Sequence, residues 1–403
     1  MDDLFAKRVE GVPKSFIREI LKLTQSKEVI SFAGGLPNPA FFPVKEVSEA
    51  AVKVLEKDGR SVLQYSNTEG YPPLREYISD YYLRRKNLKI PVEEIMITSG
   101  SQQATALTCM VLLNKGENVV IERPAYLGAI QSISFFEPVF RPIELLEDGI
   151  DIEALEYVYS NFPVKLFYSV PNFQNPTGIT YSVENRKQIG DILSKHNSVF
   201  IEDDPYFEIK FKDVDIPSIK TFCENNVLLN GSFSKMVAPG FRLGWVCAQK
   251  NIMEKVNIAK QASDLHTSYF GQRVMYQFLA DNDIEIHLSK IRSSYAKQKD
   301  AMLAAMVKYF PAEIKYTKPD GGMFLWVTLP EHISSRVLLP LALKENLAFV
   351  PGDTFFVDGT GQNTMRLNFT NSSEERIEEG IKRLANVIKQ VLSDSNKLTF
   401  VSY

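Results

Sequence analysis

The chain has 403 residues, 44% of them hydrophobic and 24% charged, with 46 Lys and Arg against 49 Asp and Glu for a net charge of −3. These proportions exclude disordered and fibrous chains and fit two to three globular units. Charges of both signs are interspersed, without the concentrated basic face that nucleic acid or a membrane surface demands, so neither is an expected partner.

In chain order, a helix is predicted around Phe16 to Leu23, followed by the turn-rich Gly34-Gly35-Leu36-Pro37-Asn38-Pro39. From about 95 to 250, short apolar runs alternate with amphipathic stretches. The runs are Ile95 to Thr98, Val119 to Ile121, Leu166 to Val170, Val199 to Ile201, Val227 to Leu229 and Gly244 to Val246. Each is β-branched or aromatic and polar only at its ends, as strands covered on both faces are. Helical patterns run from Ala104 to Leu113 and from Val183 to Leu193, the second with Ser182 placed to cap it and Glu184 in its first turn. After about 290 come long helices and a second, smaller sheet, with strands at Gly322 to Val327 and Met365 to Phe369. Ile381, Leu384, Ala385, Ile388 and Val391 form a helical stripe near the end. The expected fold is α/β: a large domain with a mostly parallel central sheet flanked by helices, plus a smaller α+β domain from both termini. The expected boundaries are an N-terminal arm at 1–44, a large domain at 45–290 and a small C-terminal domain at 291–403.

Three cysteines, Cys109, Cys223 and Cys247, are odd in number and far apart, which suits neither a disulfide framework nor a metal pattern. The four histidines stand singly, so no metal site is expected. The first eleven residues carry three acids, two of them directly after Met1, and no apolar segment, unlike a secretory signal, and no apolar run reaches the ~18 residues of a membrane span. A cytoplasmic enzyme is the class that remains.

In parallel sheets, ligands bind beyond the carboxyl ends of the strands. Here nearly every predicted strand exit carries a polar cluster. Lys235 follows a strand within Ser232-Phe233-Ser234-Lys235, trailed by Arg242. A lysine alone is ordinarily a solvated charge, but an amine there can form a Schiff base if burial or a nearby cation lowers its pKa. Ser232, Ser234 and Arg242 suit a phosphate. Ser99-Gly100-Ser101-Gln102 is either an ordinary helix cap or an anion site at a helix start. Asn175-Pro176-Thr177-Gly178 is a plain turn or one whose Asn donates to a ligand oxygen. Asp203 ends an apolar run and is costly to bury unpaired; a pyridinium nitrogen would be a suitable partner, with Tyr206 three residues on. Tyr126 is core, or stacks on a planar ligand.

Taken in order, these motifs resemble the pyridoxal-phosphate-dependent aminotransferases of fold type I, class I/II. Ala33 to Pro39, Thr98 to Gln103, Glu202 to Tyr206 and Gly231 to Lys235 are similar to their 2-aminoadipate and kynurenine branch. The resemblance implies that Lys235 carries pyridoxal 5′-phosphate and moves the substrate proton, that Asp203 keeps the pyridine nitrogen protonated, and that Tyr126 stacks on the ring. It implies Asn175 and Tyr206 at the phenolic oxygen, and Ser101, Gln102, Ser232, Ser234 and Arg242 at the phosphate. Tyr65 matches a tyrosine that reaches the neighbouring subunit's phosphate, which implies a homodimer. Arg366 matches the arginine that grips the α-carboxylate, with Asn175 and Gly35 beside the substrate. Arg18 is a surface helix position or the reader of a distal carboxylate. The implied reaction moves an amino group from an amino acid such as glutamate or 2-aminoadipate to a 2-oxo acid such as 2-oxoglutarate, by a ping-pong mechanism. Lyases and synthases of the same fold share the apparatus and are the nearest alternative. Ligand-sensing regulators carry the same domain behind a DNA-binding segment, for which the motifs, beginning by about residue 31, leave no room.

Overall fold

Eight strands form the central sheet of the computed structural model, which describes residues 4–13, 20, 28–214, 216–223 and 226–399. In chain order the strands are β1 (Ile30–Ser31), β2 (Ile95–Thr98), β3 (Asn118–Arg123), β4 (Val139–Leu146), β5 (Gly149–Ile150), β6 (Val164–Ser169) and β7 (Val199–Asp203). They continue with β8 (Val227–Ser232), β9 (Gly244–Cys247), β10 (Lys315–Tyr316), β11 (Phe324–Thr328), β12 (Leu347–Ala348), β13 (Val350–Pro351) and β14 (Thr364–Asn368). The central sheet has the order β2-β9-β8-β7-β6-β3-β4-β5. Neighbours from β8 through β4 pair in parallel, while β9 runs antiparallel to both β8 and β2. β2 therefore points the same way as the parallel set.

Successive side chains of a strand face opposite sides. Met96, Val119, Ile121, Leu166, Tyr168, Ile201 and Leu228 join one buried cluster, and Ile97, Val120, Phe167, Phe200, Leu229 and Trp245 join the other. With both faces covered, the strands read as unbroken apolar runs. Helices Ser101–Leu112 and Val183–Ser194 occur where helical patterns were predicted, and the Ser182 hydroxyl caps the second by accepting from the Asn185 N–H at 3.1 Å. β4 was not predicted. It contains Pro142 and bears on its outer side only the two-residue β5, an edge setting where a proline costs no ladder bond.

The second sheet is antiparallel, in the order β10-β11-β14-β13. Two long helices, Ile284–Tyr309 and Glu374–Thr399, pack against each other beside it. Ile381, Leu384, Ala385 and Ile388 are buried and Val391 is half-buried, as the stripe predicts. β1 pairs in parallel with β12, so the turn after Ser31 lies against the C-terminal elements. The first of the two clusters runs on into Phe324, Val350 and Leu367, joining the sheets through one apolar layer. No disulfide joins the three buried cysteines. Among the described residues, no helix is long and apolar enough to cross a membrane. The helix expected at Phe16 to Leu23, and Arg18 within it, lie outside the described residues apart from Ile20.

Candidate active site

Because β2, β3, β6, β7 and β8 all point one way, their carboxyl ends open on a single edge of the sheet, and a cavity of about 300 Å³ lies there. Ser101 and Gln102 reach it from beyond β2, Tyr126 from beyond β3, and Asn175 from beyond β6. Asp203 and Tyr206 come from β7 and its exit, and Ser232, Ser234 and Lys235 from β8 and its exit. Arg242, Gly35 and Arg366 close the remaining walls. Twelve of the fourteen predicted site residues thus share one cavity. The others are Arg18, outside the described residues, and Tyr65, which is 78% exposed and absent from that lining.

At the centre, Lys235 Nζ donates to the Gly35 carbonyl at 3.0 Å. Burial first, then the charges of Arg366 and Arg242, lower its pKa to about 8. Asp203 is 2% exposed and accepts from the Tyr168 hydroxyl at Oδ2 (2.6 Å), while its Oδ1 has no hydrogen-bond partner among the described residues. Burial raises the Asp203 pKa to about 7; the Tyr168 bond opposes the rise, and the neighbouring Asp204 and Glu122 charges add to it. The Asn175 amide and the Tyr206 hydroxyl meet at 3.5 Å, and burial raises the Tyr206 pKa, so both remain neutral donors at physiological pH.

One end of the cavity is built for an anion. Ser101 and Gln102 begin a helix whose first N–H groups have no intrahelical acceptor and whose dipole favours negative charge. Gly100 precedes it at φ 87°, where a Cβ would stand 2.7 Å from Arg242 Nη2. The glycine therefore admits both the turn and the guanidinium. The Gln102 side chain is not free for a ligand: its amide donates to the Gly128 carbonyl and the Ser132 hydroxyl, both at 2.6 Å, and its oxygen accepts from Tyr126. What Gln102 offers an anion is its backbone N–H.

On the opposite wall, Arg366 is 2% exposed, although an arginine in a strand ordinarily lies on the surface. It donates to Asn175 Oδ1 at 2.9 Å and to the Ala33 carbonyl at 2.8 Å, and its Nε has no partner among the described residues. The guanidinium lies 4.3 Å from the Phe324 ring centre and 5.1 Å from that of Phe355, which fixes its plane. Burial lowers its pKa to about 10, leaving it charged at neutral pH. Both bonds go to neutral oxygens, so no described residue balances the charge, and a buried cation in that state calls for an anion.

Residues 27–384 match the family described as aminotransferase class I and II. The chain belongs to that family. Aromatic-amino-acid aminotransferase 1 of Thermococcus litoralis is 41% identical to this aminotransferase over 392 residues, 96% of this chain and 94% of the relative. The kynurenine aminotransferase of Pyrococcus horikoshii, solved with PMP, superposes with a TM-score of 0.92 at 42% identity, covering 97% of this chain and 98% of the other. LysN, the α-aminoadipate aminotransferase of Thermus thermophilus, was solved with N-(5′-phosphopyridoxyl)-L-leucine. It superposes with a TM-score of 0.91 at 38% identity, covering 97% and 99%.

The cofactor of this aminotransferase is pyridoxal 5′-phosphate, and the cavity's unused groups suit it. A carboxylate with an open oxygen would suit a pyridinium N–H, an amine of lowered pKa an aldehyde, and a helix start beside Arg242 a phosphate. Sequence reasoning missed what stands behind these groups. Tyr168 reads only as a strand aromatic, and Glu122 only as a strand-exit acid. Glu122 is buried and takes hydrogen bonds from Ser169, Val170 N–H, Tyr181 and Gln174, a network that holds the start of the Asn175 loop. Arg186, fully buried, binds the Pro171 carbonyl and Asn172 Oδ1 of the same loop, and no motif announces it.

Proposed function

We propose that this aminotransferase takes glutamate, 2-aminoadipate or a similar amino acid as donor and a 2-oxo acid such as 2-oxoglutarate as acceptor, in two half-reactions. The observation that carries this reading is the buried, carboxylate-free Arg366 across the same cavity from Lys235. The relatives named for aromatic amino acids, kynurenine and α-aminoadipate support a side-chain pocket for large or acidic groups.

When bound, pyridoxal 5′-phosphate supplies an electron sink for the charge left at the substrate Cα. The chain's own residues do the rest. Arg366 binds the α-carboxylate, with Nε and its flat fork offered to the two oxygens and Gly35 leaving room beside it. Lys235 Nζ then takes and returns the proton at Cα, a task its lowered pKa fits. Asp203 Oδ1 accepts from the pyridine N–H, Asn175 and Tyr206 donate to the phenolic oxygen, and Tyr126 covers the ring face. Ser101, the Gln102 N–H, Ser232, Ser234 and Arg242 hold the phosphate. The division into 45–290 and a smaller domain from 1–44 and 291–403, and residence in the cytoplasm, belong to the same reading.

Absorbance tests it. Protein loaded with pyridoxal 5′-phosphate is expected to bleach its visible band on titration with glutamate or 2-aminoadipate, the better donor acting at the lower concentration. A band that persists with every amino acid would point to lyase or synthase chemistry.

The assembly in this reading is a homodimer in which Tyr65 enters the partner's cavity. Tyr65 and Leu63 stand exposed on the segment after the helix Val44–Val62. His266 secures that segment by accepting from the Ser66 N–H at 3.3 Å, and its ring meets Tyr65 edge-on with centres 5.9 Å apart. Tyr65→Phe is expected to weaken cofactor binding roughly tenfold, the worth of one hydrogen bond to a charged group, without dissociating the dimer. Equilibrium dialysis at fixed pH measures this, and an unchanged dissociation constant would remove Tyr65 from the site.

A further inference from the structure

We propose that Tyr168 is a positioning residue for Asp203: its phenol occupies one carboxylate oxygen and reserves the other for the cofactor's pyridinium N–H. The inference rests on the assignment of Asp203 made above.

The strand register brings the two together. Tyr168 of β6 lies opposite Ile201 of β7, and Asp203 is two residues further along on the same face. That makes them diagonal neighbours across two parallel strands, within reach of a side chain as long as tyrosine. Both are buried, at 0% and 2% exposure. The bond of 2.6 Å is in the range of an O–H donor on a charged carboxylate. Phenylalanine would satisfy the apolar pattern of β6 equally well, as Phe167 does beside it, so the hydroxyl is the feature that packing leaves unexplained.

The surroundings make the donor necessary. A carboxylate needs donors, and the two nearby acids have their own. Glu122 accepts from Ser169, Val170, Tyr181 and Gln174, while Asp204 pairs with Lys86. Both acids repel charge on Asp203, Tyr126 lies on the cavity side, and the Ser101 hydroxyl gives some relief. With burial added, Asp203 stands at about 7 even with Tyr168 in place. Without that bond the carboxylate would lose a donor that favours its charged form, and more of the group would be protonated at neutral pH, where it cannot balance a protonated ring nitrogen.

The test is cofactor affinity against pH, from pH 6 to 9. Holoenzyme would be dialysed against graded pyridoxal 5′-phosphate for the wild type, Tyr168→Phe, Asp203→Asn and the double variant. Asp203→Asn is expected to weaken binding and to abolish the loss of affinity that sets in as pH falls through the Asp203 pKa. Tyr168→Phe should move that loss upward by about one pH unit, the effect of one hydrogen bond to a charged group. Its affinity would be about fivefold weaker at pH 7, approaching tenfold at pH 6, and near wild type at pH 9. On the Asp203→Asn background, Tyr168→Phe should change nothing. A drop of equal size at every pH, an additive drop in the double variant, or an unmoved profile would overturn the proposal. An Asp203→Asn variant that binds like wild type would overturn the Asp203 assignment, and this proposal with it. Should Tyr168→Phe not fold, 3-fluorotyrosine at 168, a stronger donor of nearly the same size, is expected to move the profile downward, and an unmoved profile would again count against Tyr168.

Discussion

Lys235→Ala is expected to lower kcat/KM by roughly 10⁴-fold or more, the scale of losing the acting base. The amine lines the cavity floor at the exit of β8, and its Nζ is held against the Gly35 carbonyl at 3.0 Å. Burial, Arg366 and Arg242 together bring its pKa to about 8, so the neutral amine gains population as pH rises through 8 and loses it below. Wild-type turnover should therefore fall on the acid side of that pH, and the residual activity of the alanine variant should lack the dependence. Arg242, Asp203 and the helix start at Ser101 are untouched by the change, so the cofactor should still bind, without a covalent link. A small primary amine in the buffer should restore part of the rate, since the missing group is a base and not a scaffold. Steady-state assays from pH 6 to 10, with and without ethylamine, measure the rate loss, its pH dependence and the rescue, and dialysis against pyridoxal 5′-phosphate measures the retained binding. Near-wild-type turnover in Lys235→Ala would overturn the assignment.

The reasons this site was legible in sequence are local. Strands buried on both faces write themselves as apolar runs, and in a parallel sheet the residues just after each run converge on one edge. The polar clusters ending at Gln102, Tyr126, Asn175, Tyr206 and Lys235 could therefore be gathered before any coordinate was known, and the cavity gathers them. The antiparallel direction of β9 was not legible, because the run Gly244 to Val246 carries no mark of direction. β4 was hidden by Pro142, which an edge tolerates. The supporting residues were hidden for a different reason. Tyr168 and Arg186 act through partners 35 and 15 positions away, and nothing in their immediate neighbours distinguishes them from packing residues. The motif also could not show which part of Gln102 faces a ligand: Gly128 and Ser132 take its side-chain amide, which leaves the backbone N–H.

Arg366→Lys is expected to lower kcat/KM for every α-amino acid by roughly 10² to 10³-fold, with most of the loss in KM. An ammonium keeps the charge but offers neither the flat fork nor the stacking that Phe324 and Phe355 give the guanidinium, and it would leave Asn175 Oδ1 or the Ala33 carbonyl without its donor. The loss should be specific to one part of the substrate. Amines that lack an α-carboxylate gain nothing from Arg366, so the variant should treat an amino acid and its decarboxylated counterpart far more alike than the wild type does. This ratio separates a carboxylate contact from a general disturbance of the cavity, which would slow both substrates together. It also separates Arg366 from Lys235, whose removal strikes kcat for both. A variant that keeps the wild-type preference for the carboxylate would mean that the buried cation serves the fold, with its open Nε waiting on nothing in the substrate.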